Sequence, residues 1–441
     1  MTKQLAFMLV MTTLGTLGVF LISPFWGVAV YYVFAILRPQ HLWEWALPEG
    51  VPWSFIVAVA TLVAAVMSLL GILPDMRPQP PPRPSFGRAH GVMFLFGFWV
   101  FVTYLMAQNR EVAEPWFIEY LKIFVMFAGA AILLQSVEEV KRLLLLAAVT
   151  IFYLAAEINI DYLQTGVIKV LKHGHGGLDN NGAGLLLAMG VPIIYFLFES
   201  LTSRFRWLLP LGVPVIIHAV LMTYSRGAMV SLALTVPLIV WRSRHRKRLA
   251  VALVLLGALM LPMMAGVQIR ERFLTINRAD EDASAQLRMQ SWTAAVKIAA
   301  DYPVFGVGVR NANLFSHRYG ADVEGRTIHS QFLQIAADNG FVGLGIYLLL
   351  LATVWRELRQ VRRAAAYVAE EEGRLLTGLV SGIECSLAVF CVGGLFLSLE
   401  VFEFPYMLIL LASQLALITA SRLTGPTANQ HRDAWWGGVP E

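Results

Sequence analysis

Long apolar runs, separated by short polar segments, dominate the chain. Most runs extend for about 17 to 24 residues with almost no charge, which is the length that an α-helix needs to cross a bilayer. None shows the period-2 alternation of a transmembrane barrel strand, and in lipid a helix satisfies its own backbone hydrogen bonds. We therefore predict an all-α polytopic integral membrane protein. The predicted apolar helices lie near residues 5–22, 25–37, 52–73, 91–108, 116–135, 143–163, 181–200, 207–224, 225–241, 249–267, 332–355, 375–398 and 401–421.

The basic residues of the short loops predict which side of the membrane each loop faces. Arginine and lysine gather in cytoplasmic loops, and here they concentrate at residues 204–206, 242–248 and 356–374. Alternation from these loops places the C-terminal tail in the cytoplasm. Thirteen crossings would put Lys3 outside, so we expect the first two segments to form one crossing or a partial hairpin. The expectation is about 12 (12–13) transmembrane helices, with the first apolar run retained rather than cleaved as a signal peptide.

One polar region, residues 268–331, stands between the apolar runs and is expected outside the cytoplasm. It divides the chain into N-terminal transmembrane helices at 1–267, a large extracytoplasmic loop with short helices at 268–331, and C-terminal transmembrane helices with a cytoplasmic tail at 332–441. We expect the chemistry of the protein in this loop.

The extracytoplasmic loop has two predicted features of its own. Residues 284–300 form an amphipathic pattern, which predicts a helix at the membrane surface, ended by residues 301–303. Gly306 and Gly308 predict a tight loop where the backbone can approach a ligand. The expected apolar face of the helix is Leu287, Trp292, Ala295, Val296 and Ala299.

Composition and charge narrow the function classes. Apolar residues make up 57% of the chain, more than a soluble fold can bury. The net charge of +5 is explained by the loop topology, with some attraction to anionic membrane lipids, and does not imply nucleic acid binding. Cys385 and Cys391 are six residues apart on different faces of one predicted helix, so we expect neither a disulfide nor a metal site there. His173 and His175 are a weak metal hypothesis, since no carboxylate or cysteine accompanies them in the sequence.

Arginines are unexpectedly frequent in the extracytoplasmic loop. A guanidinium offers a planar fork of donors that matches phosphate oxygens, so this cluster suits an anionic lipid headgroup or diphosphate. The alternative is that several pair with the acidic residues at 280–282, 322 and 324. Arg226 is a stronger candidate, because it lies at a turn between two apolar segments with no acidic neighbour in sequence. The loop arginines are Arg270, Arg272, Arg278, Arg288, Arg310, Arg318 and Arg326.

His329 and Ser330 come directly before an apolar helix. A neutral imidazole there could accept a proton from a hydroxyl nucleophile, and Ser330 could cap the helix. A lone histidine at a membrane interface is otherwise a structural residue. Within the apolar segments, Glu384 and His218 could pair across helices or serve a proton relay, and Glu119 could neutralise Lys122.

Several short motifs together resemble one enzyme superfamily. His329-Ser330 followed by Gly340-x-x-Gly343-x-Gly345 looks like the signature of O-antigen ligases. The turn at 224–227 resembles the arginine turn of the wider ligase and Wzy-type polymerase superfamily, and Arg288-x-x-x-Trp292 is similar to the stretch before its histidine. The motifs at 24–27 and 38–43 resemble putative O-glycosylation ligases associated with exosortase systems. Two further matching elements are Pro303-x-x-Gly306-x-Gly308 and Asp179-Asn180-Asn181-Gly182.

The resemblance implies an inverting glycosyltransferase that moves a glycan from an undecaprenyl pyrophosphate carrier to an acceptor hydroxyl, in lipid A–core or in a protein. It would act without a metal ion, nucleotide sugar or other cofactor, in the bacterial inner membrane, with 268–331 as a periplasmic catalytic loop. By this resemblance Arg226 and Arg288 would hold the pyrophosphate, and His329 would act as general base or orient the acceptor. Arg270, Arg272 and Arg310 are added from their position alone.

Three other functions stay open at this point. A Wzy-type polymerase would use the same donor with a second carrier-linked glycan as acceptor, and a protein O-oligosaccharyltransferase would glycosylate a protein. A lipid-linked glycan transporter would also need many helices and a cationic cavity, although such proteins are typically built from inverted repeats.

Overall fold

The computed structural model describes residues 2–73, 86–263 and 283–423, and all regular elements in these ranges are helices. Two short 3-10 helices, Arg204–Leu208 and Ser316–Tyr319, join them. The α-helices, in chain order from α1 to α18, are Lys3–Thr16, Gly18–Leu21, Phe25–Leu37, Pro39–Leu42, Trp53–Leu69, Arg88–Leu105, Arg110–Leu133, Val137–Thr165, Lys169–His173, Asn180–Ser200, Leu209–Met222, Arg226–Arg242, Arg246–Met263, Ala283–Asp301, Asn311–Phe315, Gln331–Ala364, Glu370–Gly393 and Glu403–Leu423.

The described helices are those of a polytopic membrane protein, as the hydropathy pattern predicted. Eight of them are long and apolar enough to cross a membrane, and two shorter apolar helices, α3 and α5, accompany them. The predicted segments 5–22 and 225–241 also coincide with helices, as does the described part of segment 249–267, whose residues after 263 lie outside the described ranges. None of these helices is among the ten. The expected 12 crossings, and the side on which the tail beyond residue 423 lies, stay predictions.

Helix α10 lies at the centre of the bundle and packs against α8, α11, α12 and α17. Glycines allow this close approach, as small residues do between membrane helices. A Cβ at Gly190 would lie 2.5 Å from Ile151, and one at Gly378 of α17 would lie 2.3 Å from Ser200. The centre of the bundle is therefore formed by backbones that a larger residue would push apart.

Helix α16 is broken near its N-terminal third. Gly340 has a left-handed φ of 72°, so the helix consists of two pieces, and the carbonyls before the break lack their usual helical donors. Val307 N donates to Ala337 O at 3.0 Å, and Phe341 N donates to Pro303 O at 2.8 Å. The loop after α14 thus supplies hydrogen bonds to the backbone on both sides of the break.

Helix α14 confirms the helix predicted in the polar region 268–331, including its end at Asp301. One predicted face residue was wrong, because Val296 is 52% exposed while Ala294 and Ile298 are buried. The buried face packs on α16 and forms a small core of its own with Val307 and neighbouring residues.

The predicted pairing of Glu384 with His218 is also wrong. Glu384 accepts hydrogen bonds from Arg242 at 2.6 Å and from Arg362. His218 Nδ1 instead forms a hydrogen bond with Asn159 Oδ1 at 2.7 Å. Basic side chains of two helix ends outcompete a distant imidazole for the buried carboxylate, because they carry a full charge. The predicted pair of Glu119 and Lys122 is present, at 2.6 Å.

Candidate active site

Two helix starts meet where the Asp179 and Arg226 motifs come together. Asp179 caps α10 by accepting from Gly182 N at 2.7 Å, and Ser225 caps α12 by accepting from Ala228 N at 3.3 Å. The Ser225 hydroxyl donates to Asn181 Oδ1 at 3.0 Å. Helix N-termini carry partial positive charge and unpaired N–H groups, so two neighbouring starts make a place where an anion is favoured.

The loop between α17 and α18, residues 394–402, joins a third helix start to these two. Gln331 N donates to Gly394 O at 2.7 Å, and Gln331 Oε1 accepts from Leu399 N at 2.7 Å. Side chains of the same loop lie 3.4 Å from the position of a Cβ on Gly182 and on Gly227. The starts of α10, α12 and α16 therefore surround one loop.

Ser330 occupies the predicted capping position of α16, but its hydroxyl makes no capping bond in the described structure. Its backbone N–H instead donates to Ser398 Oγ at 3.1 Å. The interpretation of Ser330 as a side-chain cap was therefore wrong, because the loop after α17 supplies the polar contacts at this helix start.

His329 has a left-handed backbone conformation, with a φ of 54°. Such a conformation is costly for a residue other than glycine and concentrates at functional sites. Among the described residues other than glycine, it is shared only by Arg38, Tyr224 and Arg310. Tyr224 belongs to the turn at 224–227 and Arg38 to the motif at 38–43, so three of the four strained residues belong to the candidate motifs. Arg310 lies in the loop that follows α14.

Helix α14 holds His329 in place through its backbone. Trp292 Nε1 donates to His329 O at 3.2 Å, and Ser291 Oγ donates to Ile328 O at 3.1 Å. Arg288 lies one turn before Trp292 on the same face of the helix. The spacing Arg288-x-x-x-Trp292 thus has a physical reason, because the tryptophan anchors the histidine backbone while the arginine charge acts on its imidazole.

The imidazole of His329 is half-buried, and its pKa is lowered to about 4. Burial is the main cause, and the positive charge of Arg288 is the next. The carboxylate of Asp179 acts in the opposite direction. His329 is therefore neutral near pH 7, and charges from two of the motifs act on it.

Arg310 lies in a different setting from the one its loop position indicated. Its Nε is 3.7 Å from Glu400 Oε2, and its guanidinium carbon is 4.0 Å from the ring centre of Trp116. Burial raises the pKa of Glu400, as does the nearby charge of Asp338. Asp338 accepts from the backbone N–H groups of Arg310 and Ala312 at 2.9 Å. Sequence reasoning missed both carboxylates, because neither belongs to a motif.

The glycine loop at 306–308 approaches protein backbone closely. A Cβ on Gly306 would lie 2.4 Å from the Asp338 backbone, and one on Gly340 would lie 2.0 Å from Val304 O. The predicted close approach is therefore present across the break in α16, and its use by a ligand stays a prediction. These glycines allow the loop to pack against the backbone of Asp338.

The remaining predicted arginines of the loop differ in what they contact. Arg326 donates to Asp322 Oδ2 at 2.6 Å, as the acidic-pair alternative predicted, and Arg318 lies over the Phe315 ring. Arg270 and Arg272 lie outside the described residues. Among the residues with described positions, no group of three or more His, Cys, Asp or Glu side chains could hold a metal ion.

Part of the chain matches a known protein family. Residues 211–348 match the family model described as O-Antigen ligase, from α11 into α16. The matched stretch contains Arg226, Arg288, Arg310 and His329. No curated protein sequence matches the chain. The protein is thus a polytopic membrane protein in which residues 211–348 are similar to the O-antigen ligase family.

Proposed function

We propose that the protein is an inverting, metal-independent glycosyltransferase of the O-antigen ligase type. It transfers a glycan from undecaprenyl pyrophosphate to an acceptor hydroxyl, such as one in lipid A–core, on the periplasmic side of the bacterial inner membrane. The observation that carries this proposal is the strained, neutral His329, on which Arg288 and Asp179 act, beside the starts of α10 and α12.

The reaction needs a base for the acceptor and a stabilised leaving group. The acceptor oxygen attacks the anomeric carbon as the bond from that carbon to the phosphate oxygen breaks, which inverts the configuration. The hydroxyl proton goes to the His329 imidazole, and the diphosphate leaves on its lipid carrier. Arg226 and Arg288 stabilise the charge that develops on the diphosphate.

A pKa near 4 makes the free imidazole a weak base. Donor binding changes this, because the diphosphate offsets the positive charge of Arg288 that lowers the pKa. The imidazole becomes more basic when the donor is present. Proton removal from an acceptor is thereby coupled to occupancy by the donor.

The charges at the opposite helix ends support the proposed orientation. Helix α12 begins at Arg226 and ends at Arg242, and α16 begins near His329 and ends in the basic stretch around Arg362. The positive-inside rule assigns those basic ends to the cytoplasm. The His329 site then faces the periplasm, and residues 268–331 form the catalytic loop between two sets of transmembrane helices.

The other arginines have secondary parts in this proposal. Arg310 contacts Glu400 and acts on the site through its charge rather than as the first diphosphate ligand. Arg270 and Arg272 are proposed as additional donor ligands from their position in the loop. The finer subgroup, the exosortase-associated ligases, is proposed from the motif around Arg38, whose strained backbone joins α3 to α4.

The test is transfer of carrier-linked glycan by the purified protein in liposomes, with a chelator and no nucleotide. Lipid A–core, a second carrier-linked glycan and candidate proteins are offered as acceptors. We expect the wild type to transfer glycan to lipid A–core and His329→Asn to lose this activity. Transfer only to the second glycan or to protein would identify a polymerase or a protein glycosyltransferase. Carrier flipping without any transfer would replace the enzyme by a transporter.

A further inference from the structure

A cavity of about 440 Å³ lies between the C-terminal end of α8, helix α9 and the glycine-rich loop at 174–177. This volume is within the usual range for small-molecule sites. The His329 site does not account for it, and of the motifs only the one at 38–43 contributes to its lining, through His41 and Leu42. Its polar lining includes His41, Glu157, Asp161, Lys169, His173 and His175.

The cavity adjoins the proposed donor site. Met222 lines it, and Arg226 follows four residues later, so the two α-carbons are at most about 14 Å apart. On the other side, the lining residues 174–177 lead within two residues to Asp179, which caps α10. The cavity and the arginine turn therefore lie close together in the fold.

Two polar atoms of the lining have open hydrogen-bonding capacity. Glu157 Oε2 and His175 Nε2 are 3.8 Å apart, which is too far for a hydrogen bond between them. Neither has a hydrogen-bond partner among the described residues. Both atoms are buried, and one ligand hydroxyl that reached them would satisfy both, since it donates to the carboxylate and accepts from the imidazole N–H. Buried polar atoms that lack a partner are costly, so a ligand that supplies one is favoured.

The charge of the lining selects the kind of ligand. Glu157 and Asp161 are both carboxylates, and Lys169 pairs with Asp161 at 2.5 Å, so little positive charge is left for a phosphate. Burial lowers the pKa of His175 to about 4, which keeps its imidazole neutral near pH 7. The lining therefore disfavours anions, in contrast to the arginine turn.

We propose that this cavity binds an uncharged sugar residue, either of the donor glycan or of the acceptor, while the arginine turn holds the diphosphate. This inference rests on the proposed function for the identity of its ligands. Because the cavity lining disfavours anions and the arginine turn favours them, the sugar and the diphosphate of one substrate bind at different places.

The experiment measures binding, so that it does not depend on turnover. The full-length protein in detergent is titrated with three probes: undecaprenyl pyrophosphate without glycan, the glycan released from its carrier by mild acid, and lipid A–core. The variants are Glu157→Gln and His175→Gln, singly and combined. Glu138→Gln is the matched control, because Glu138 lies on the same helix at its other end and contacts Lys141 and Arg142.

We expect each single variant to lower the affinity for one sugar probe by about tenfold, as the loss of one buried hydrogen bond does. The combined variant should lose less affinity than the product of the two single losses, because both residues contact the same hydroxyl. If the variants lose affinity for the released glycan, the cavity binds the donor sugar. If they lose affinity for lipid A–core, it binds the acceptor sugar. Binding of undecaprenyl pyrophosphate and all binding by Glu138→Gln should not change. The proposal is overturned if neither sugar probe binds the wild type, if all variants bind alike, or if undecaprenyl pyrophosphate alone loses affinity. If sugar binding changes as expected but no acceptor is ever glycosylated, the proposed function fails and the sugar site remains.

Discussion

The two ends of helix α16 contain clusters of polar side chains whose central groups differ in charge. We call them the His329 end and the Glu384 end. At the Glu384 end, Glu384 is 2% exposed and contacts Arg242, Arg362 and the Trp355 indole, so a central carboxylate is surrounded by donors. At the His329 end, arginine charges act on a neutral imidazole whose backbone is strained. The unbroken helical piece from Phe341 to Trp355 accounts for about 21 Å of the separation between the two ends.

The difference separates charges that hold the bundle together from charges suited to a substrate. A buried carboxylate between two guanidiniums has its charge compensated within the protein, and removal of one of these groups leaves an uncompensated buried charge. A cationic region around a neutral base gains from an anionic ligand. Substitutions at the Glu384 end should therefore change stability, and those at the His329 end should change transfer.

The largest expected effect is at His329. His329→Asn removes the base but keeps a residue that tolerates a positive φ, and we expect transfer to fall by about 10³-fold. The melting temperature should stay within a few degrees of the wild type. His317→Asn, in the same loop, is the control and should retain activity. Wild-type rates in His329→Asn would remove the imidazole from the mechanism.

Glu384→Gln tests the other side of the comparison. We expect the free energy of unfolding to fall by about 3 kcal/mol, because Arg242 and Arg362 lose their carboxylate. The transfer rate per folded molecule should change by less than about twofold, since the site is distant. Thermal unfolding in detergent, beside Glu370→Gln at an exposed position of the same helix, measures the difference. A large loss of activity with unchanged stability would contradict a structural role.

Arg288→Lys sharpens the comparison by keeping the charge and removing the planar fork. We expect kcat/KM for the donor to fall by about 10- to 100-fold, because a lysine cannot make the paired contact with a phosphate. Arg318→Lys is the matched control, as Arg318 lies over Phe315 in the same loop. If the two substitutions lower kcat/KM equally, Arg288 makes no paired contact with the diphosphate and contributes only as a nearby positive charge.

The smallest expected effect is in the pH profile. Because His329 must be neutral to accept a proton, activity falls on the acid side as pH passes below its pKa. In kcat/KM this limb reports the free enzyme and should lie near the pKa of about 4. In kcat, with donor bound, we expect it about one unit higher, since the diphosphate offsets Arg288. Coincident limbs would show that the donor does not act on the imidazole.

The helices and the motifs could be predicted from the sequence, because hydropathy and capping residues act locally. The apolar runs located the helices, and the helix at 283–301 was predicted nearly to its ends. The role of Gly306 was not predictable, since it depends on the carbonyls of a distant broken helix. Glu400 was missed for the same reason, because only packing brings its loop to Arg310.

By itself the sequence determined a polytopic helical protein with its candidate arginines and histidine, because apolar length and residue type are local properties. The tertiary structure decided what each candidate contacts. It surrounded Glu384 with two arginines, paired His218 with Asn159 and anchored His329 through Trp292. Such outcomes depend on which helix ends meet, and the hydrogen bonds and charges of those ends act only across the short distances that packing creates.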